Sequence, residues 1–222
     1  MLKKILVIAP HPDDETIGCG GTLLRHIDNE DEVSFLLITK LSKKNGWKSN
    51  LIHEKNKEIK KVENFYRFKN SFKLNFPATG LDVTPISEII KKISDIIFKI
   101  EPNIIYTNYN NDVHTDHQIV SKAVSSCLKW FRHPSIEKAL MYETLSETNF
   151  NFESKTSFTP NKFINISKYL EKKIKVMNIY KTEIGKHPFP RGEEAIRANA
   201  ILRGSQCGFE YAEAFKIIFE KE

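Results

Sequence analysis

Residues 7–21, VIAPHPDDETIGCGG, constrain the fold more than any other part of the chain. Ile5, Leu6, Val7 and Ile8 form a continuous aliphatic run with Ala9 behind it. That is the pattern of a strand covered on both faces of a parallel sheet. Pro10 and Pro12 then stop the ladder, because neither has a backbone N–H to donate. His11, Asp13, Asp14 and Glu15 stand between and after them, followed by Gly18, Gly20, Gly21 and the helix-compatible TLLRHI. Polar groups crowded just past the carboxyl end of a buried strand occupy the place where open α/β sheets bind their ligands. Three adjacent carboxylates repel one another, and a bound divalent cation offsets that repulsion. His11 and Asp14 offer an imidazole and a carboxylate within one turn of chain. Catalytic zinc sites usually take three protein ligands and keep one position open, so a third ligand is expected elsewhere.

A second polar cluster supplies it. Residues 108–117, NYNNDVHTDH, follow another strand-like run at 103–107. They offer His114 and His117 at i, i+3, with Asp112 and Asp116 as acids that could orient metal-bound imidazoles from behind. A dinucleotide site is disfavoured: GCGG is not G-x-G-x-x-G, and a proline–acid turn stands at the phosphate position.

Strands expected at 3–9, 33–39, 72–75, 103–107 and 139–143 alternate with helices at 16–29, 51–67, 84–100 and 117–132. This order predicts an α/β chain, a three-layer Rossmann-like sandwich around a mostly parallel sheet. Residues 146–167 read as an irregular stretch over the pocket, 168–182 and 194–203 as helices, and 211–219 as a closing strand. The glycines of GCGG let the first helix start close to the strand end. Glu213 lies inside an apolar run, so it needs a partner, for which Arg203 is the candidate. The 222 residues show no repeat or low-complexity tract, which predicts one domain over 1–222.

The net charge of +6 does not carry a nucleic-acid reading. The lysines are scattered along amphipathic helices, with no basic run interleaved with stacking aromatics. A phosphorylated or nucleotide-linked substrate, or a solvated surface, accounts for the excess. The three cysteines, Cys19, Cys127 and Cys207, are far apart and form no CxxC pair. They read as reduced thiols of a cytoplasmic protein, with Cys19 packed near the site. No run approaches 18 apolar residues, and the opening of the chain lacks a signal peptide's apolar region, so no membrane span is expected.

PHPDDE followed later by HTDH resembles the LmbE-like (PIG-L) family of zinc-dependent N-deacetylases, whose signatures are HPDDE after A or P, and HxDH. GFEYAEAF at 208–215 matches that family's closing G-x-x-YAEAF, and SFTPNKFINIS at 157–167 is similar to another of its segments. The resemblance implies removal of an acetyl group from an N-acetylglucosaminyl compound, releasing acetate. It makes His11, Asp14 and His117 the zinc ligands, although iron or cobalt can occupy a similar donor set. Asp13 matches the general base, and His114 the histidine that polarises the carbonyl and handles protons. Either of the two could protonate the leaving amine. Three positions are substrate-contact candidates. Lys55 stands before Glu58 where the family carries an arginine; a lysine there loses the bidentate fork, and a solvated helix lysine is the plain alternative. Tyr142 begins an aromatic–acid pair with Glu143 and could contact the oxyanion or a sugar ring; a buried strand tyrosine is the favoured alternative. Arg191 lies with His187 in the HPFPRG turn. Trp47 reads either as a lid aromatic or as a packed loop residue. Members of the family often associate, so a homo-oligomer is expected. Alternative readings are a metal-dependent hydrolase of another amide or an ester, and a catalytically silent carbohydrate-binding relative. The complete set His11, Asp13, Asp14, His114 and His117 argues against the silent one.

Overall fold

The computed structural model describes residues 2–222, apart from the Asn45 side chain; Met1, where the reading of the chain's opening begins, lies outside the described residues. Strands β1 (Lys4–Ala9), β2 (Glu32–Lys40), β3 (Asn70–Pro77), β4 (Ile104–Asn108), β5 (Lys138–Tyr142), β6 (Lys162–Asn165) and β7 (Ala212–Glu220) form a sheet in the order β3-β2-β1-β4-β5-β7-β6. The first five run parallel; β7 pairs antiparallel with β5, and β6 antiparallel with β7. The expected mixed, mostly parallel α/β architecture is the observed one.

Period-two alternation on β1 divides the interior. Ile5, Val7 and Ala9 join one apolar cluster with residues of α1 (Asp14–Asp28), α2 (Ser49–Tyr66), α5 (Leu170–Met177) and α6 (Glu193–Ser205). Leu6 and Ile8 join the other, with α3 (Ile86–Ile100) and α4 (Thr115–Ser126). A strand covered by helices on both faces has no solvent side, which is why β1 reads as an unbroken aliphatic run. The strand order reverses direction between β1 and β4. Connections leave those two neighbours toward opposite edges, opening a crevice at their carboxyl ends. HPDDE follows β1 and HTDH follows β4, so both face this crevice.

Beyond shifts of one or two residues at element ends, three departures from the sequence reading stand out. The irregular 146–167 stretch contains β6, a four-residue strand too short to show a period. Helix α4 stops at Ser126, and Trp130 and Phe131 lie exposed on the turn beyond it. Helix α5 stops at Met177, because the chain then turns and Lys181 N–H donates to Glu58 on α2.

Helix α1 begins at Asp14 and kinks at Cys19, where φ −143° and ψ 20° leave the helical region. The kink frees backbone groups on both sides, and a buried ion pair takes them up. Glu213 accepts from Gly21 N at 2.9 Å and Thr22 N at 2.7 Å. Lys173 Nζ donates to Ile17 O at 2.7 Å and to Glu213 at 2.7 Å. This corrects the expected Glu213–Arg203 pair. On β7 the Glu213 side chain faces α1, while Arg203 instead grips Glu143 with two hydrogen bonds of 2.8 and 2.6 Å. The glycines serve close packing rather than the helix start. A Cβ on Gly18 would lie 2.0 Å from the Tyr142 ring, and one on Gly21 2.8 Å from Ile166.

Removing one partner of a buried pair leaves the other charge uncompensated, at about 3–5 kcal/mol. Lys173→Met should therefore lower the unfolding free energy by about that amount in urea titration. A variant as stable as the parent would show that the pair does not hold the kink.

Candidate metal centre

The centre is built where β1 and β4 deliver their loops. His11 Nδ1, Asp14 Oδ2 and His117 Nε2 form a triangle with sides of 3.3, 3.6 and 3.2 Å. Donors bound tetrahedrally to zinc at 2.0–2.1 Å stand about 3.3 Å apart, so the three atoms sit at the spacing of one face of such a tetrahedron.

The imidazoles are held by what lies behind them. His11 Nε2 faces Asp116 Oδ2 at 2.9 Å, and His117 Nδ1 faces Asp112 Oδ2 at 2.8 Å. A carboxylate can only accept, so each ring carries its proton on that outer nitrogen and turns a lone pair inward. Asp112 in turn accepts from Thr148 Oγ1 at 2.6 Å, and Asp116 from Thr79 N at 2.7 Å and Leu81 N at 3.1 Å. Two inward lone pairs and a carboxylate at this separation repel one another unless a positive charge lies between them. Without a metal, the same demand for positive charge is met by a proton: burial resists charging His117, yet Asp14 and Asp112 draw its pKa well above the ordinary imidazole value, and a metal would take that inner proton's place. Burial likewise opposes ionising Asp14, but His117 and His11 hold it down to about 2. His11, Asp14 and His117 could therefore hold a metal ion. His11, His114 and Asp116 also approach one another, but there Asp116 is already taken up by two backbone donors, and His114 Nδ1 accepts from Asp116 N at 3.1 Å.

Asp13 stands beside the triangle at φ 117°, a backbone conformation that side-chain-bearing residues rarely adopt. Glu15, itself buried, holds this turn by accepting from Asp13 N at 3.2 Å. Asp13 Oδ2 is buried with no hydrogen-bond partner. Burial pushes the Asp13 pKa well up, and the Asp14 and Glu183 charges add to this against the pull of Arg191. His114 caps α4, and burial with the charges of His11 and His117 lowers it to about 4. His11, Asp13, Asp14, His114 and His117 line a cavity of about 410 Å³.

The family model for PIG-L, described as GlcNAc-PI de-N-acetylase, matches residues 6–128, more than half of the chain. The chain belongs to the PIG-L family. A diacetylchitobiose deacetylase of Thermococcus kodakarensis is 28% identical over 231 residues, covering 98% of this chain and 84% of that protein. A probable N-acetyl-alpha-D-glucosaminyl L-malate deacetylase 2 of Bacillus cereus is 25% identical, covering 82% of this chain and 84% of its own. The solved N,N'-diacetylchitobiose deacetylase of Pyrococcus horikoshii shares the fold at a TM-score of 0.78 and 22% identity, over 97% of this chain and 84% of that one. Among the described residues, no helix is long and apolar enough to cross a membrane.

Within this PIG-L chain the remaining candidates separate. Arg191 lines the cavity, 3.8 Å from Asp13 Oδ2 and 3.2 Å from Glu183 Oε2. Lys55 also lines it but is not a solvated helix lysine. It is only 4% exposed, and its ammonium contacts Thr182, Glu183 and, at 3.3 Å, Glu58, tying α2 to the segment that carries Arg191. Tyr142 is corrected: it lies outside the cavity, fully buried, with its hydroxyl donating to Ile8 O at 2.9 Å and its ring against Gly18. Strand parity turns it toward α1, beneath the site. His187 is exposed on its turn. Trp47 lines the cavity wall. Glu147 and Glu183 were missed in the sequence; both line the cavity, and neither lies in a spacing that marks it.

Loss of an acid that orients a metal-binding histidine typically weakens affinity 10–100-fold. Asp112→Asn should do so for zinc, measured by competition with a chromogenic chelator. An unchanged affinity would remove Asp112 from that role.

Proposed function

We propose that the chain is a zinc-dependent N-deacetylase that hydrolyses the acetamide of an N-acetylated amino sugar to acetate and a free amine. The observation that carries this reading is the Asp13 carboxylate oxygen that has no hydrogen-bond donor, buried beside three converging donor atoms. A buried acceptor without a donor is costly, and a reacting water is the donor that this position suits.

His11, Asp14 and His117 would hold the metal. When bound, it supplies Lewis acidity, acidifying water and polarising a carbonyl oxygen. Asp13 Oδ2 takes the proton of the water that attacks the acetyl carbon. Because His114 Nδ1 accepts from the α4 backbone, the neutral ring carries its proton on Nε2. That N–H is a donor for the oxygen that gains charge as the carbonyl carbon becomes tetrahedral. This division leaves Asp13, now protonated, to return its proton to the departing nitrogen, so that a neutral amine leaves. Arg191, beside Asp13, contributes positive charge to the wall against which the sugar is held, and Lys55 fastens that wall through Glu183. Trp47 and Leu41 supply an apolar face in the same cavity. The names of the curated relatives support an amino-sugar substrate, and free thiols at Cys19, Cys127 and Cys207 suit a cytoplasmic setting.

The test is acetate release from a panel of N-acetylated sugars, sugar phosphates and nucleotide sugars, with and without chelator. Release should vanish with chelator and return with zinc. Asp13→Asn should keep its metal and lose roughly 10²–10⁴-fold in turnover. Undiminished release from metal-stripped protein, or full activity in Asp13→Asn, would overturn the mechanism. Silence across the panel with metal bound would overturn the amino-sugar substrate and favour another amide or an ester.

A further inference from the structure

Five buried side-chain nitrogen or oxygen atoms among the described residues have no hydrogen-bond partner. Three of them, Asp13 Oδ2, Trp47 Nε1 and Arg191 Nε, belong to residues that line the cavity of the metal centre. Asp13 Oδ2 is the acceptor already assigned to the reacting water. The other two are donors only, because neither an indole nor a guanidinium N–H can accept. A buried donor without an acceptor is costly, and native interiors leave few of them. Two in one cavity call for acceptors that a ligand brings.

Other donors lining that cavity are taken. The ammonium of Lys55 has three N–H groups and meets Thr182, Glu183 and Glu58. Thr39 Oγ1 donates to Pro10 O at 2.7 Å, and Thr79 Oγ1 to Ala78 O at 2.6 Å. His11 and His117 turn their outer nitrogens to Asp116 and Asp112, and His114 Nε2 is assigned to the carbonyl. Lys40 is exposed to water and has no such deficit. Both unmatched donors are also held in place. Gly46, at a left-handed φ of 84°, closes the turn after β2 in which Trp47 N donates to Ser42 O at 3.3 Å. Arg191 pairs with Glu183 Oε2 at 3.2 Å, and its guanidinium lies 5.5 Å from the centre of the Phe189 ring. Donors fixed before a ligand arrives lose little freedom on binding it.

We propose that Trp47 Nε1–H and Arg191 Nε–H each donate to a hydroxyl oxygen of the sugar whose acetamide meets the metal centre. This rests on the deacetylase reading above and makes the two residues specificity-determining, since each recognises a neutral hydroxyl at a fixed place. A sugar that lacks the hydroxyl leaves a donor buried and unmet, which is how a site of this kind rejects a close analogue. The effect falls on KM more than on kcat, because a hydroxyl away from the acetamide is held alike before and during the reaction.

Kinetics of the zinc-loaded protein test this with N-acetylglucosamine and the deoxy analogues that lack, in turn, each of its non-anomeric hydroxyls. Trp47→Phe keeps the aromatic bulk and removes the N–H. It should raise KM for N-acetylglucosamine about three- to tenfold, yet leave unchanged one deoxy analogue, which the parent already binds more weakly by a similar factor. Arg191→Lys keeps the charge and removes the Nε–H. It should cost about ten- to a hundredfold and leave a second analogue unchanged. For either donor, a uniform loss across all these sugars, or no loss, overturns its assignment. If nothing is hydrolysed, the deacetylase reading fails while the donors are still tested, by calorimetric binding of the same sugars to the zinc-loaded parent and variants. The same paired pattern of losses supports them; equal binding to parent and variants, or no binding of any of the sugars, overturns them.

Discussion

The structure depends on how it compensates carboxylates in its interior. Asp13, Asp14, Glu15, Asp112, Asp116 and Glu213 are all buried around α1 and the ends of β1 and β4. A buried charge without partners costs several kcal/mol, so each must be answered locally. Asp116 is answered by two backbone N–H groups and His11, Asp112 by Thr148 and His117, and Glu213 by Lys173 and the kink in α1. Glu15 is answered by Thr16, Tyr180 and the Asp13 N–H, although burial still pushes its pKa to about 7. Among the described residues, only at the centre is the compensation of a buried carboxylate incomplete. There Asp14 and two imidazole lone pairs converge, and one oxygen of Asp13 has no donor. The departure from an otherwise strict rule coincides with the proposed active site.

The same compensation makes the centre rigid. The kinked α1 is clamped by the Lys173–Glu213 pair and packed without a Cβ against Tyr142 and Ile166. Its first residues therefore leave β1 at a fixed angle, and Asp13 is fixed in a conformation costing about 1–3 kcal/mol. Residues far apart in sequence thus bear on where one carboxylate oxygen points. The segment with Glu183 and Arg191 is fastened separately, through Lys55 on α2, so the far wall of the cavity belongs to a different part of the framework.

What could be read in the sequence follows from how local each constraint is. Strands β1 and β4 are apolar runs that end in clustered polar residues, and both the pattern and its consequence lie within a dozen residues. The donor set and the acids behind it share those two loops, so the spacing of HPDDE and HTDH made them visible. Strand β6 escaped because four residues are too few for alternation to register. The partner of Glu213 was misassigned because pairing between β7, α1 and α5 is a tertiary matter on which local sequence is silent. Tyr142 illustrates the same limit: its place at the end of β5 is evident, but which face it takes is decided by Gly18 on a helix more than a hundred residues earlier. Glu147 and Glu183 reach the cavity from irregular connections, where no period predicts direction.

The account rests on His11, Asp14 and His117 holding one metal ion. X-ray absorption fine structure of the zinc-loaded protein tests that directly. It should show one zinc per chain, with two histidine nitrogens and oxygen donors at about 2.0–2.2 Å. An absorption spectrum without histidine scattering, or a protein that binds no stoichiometric metal, would contradict it.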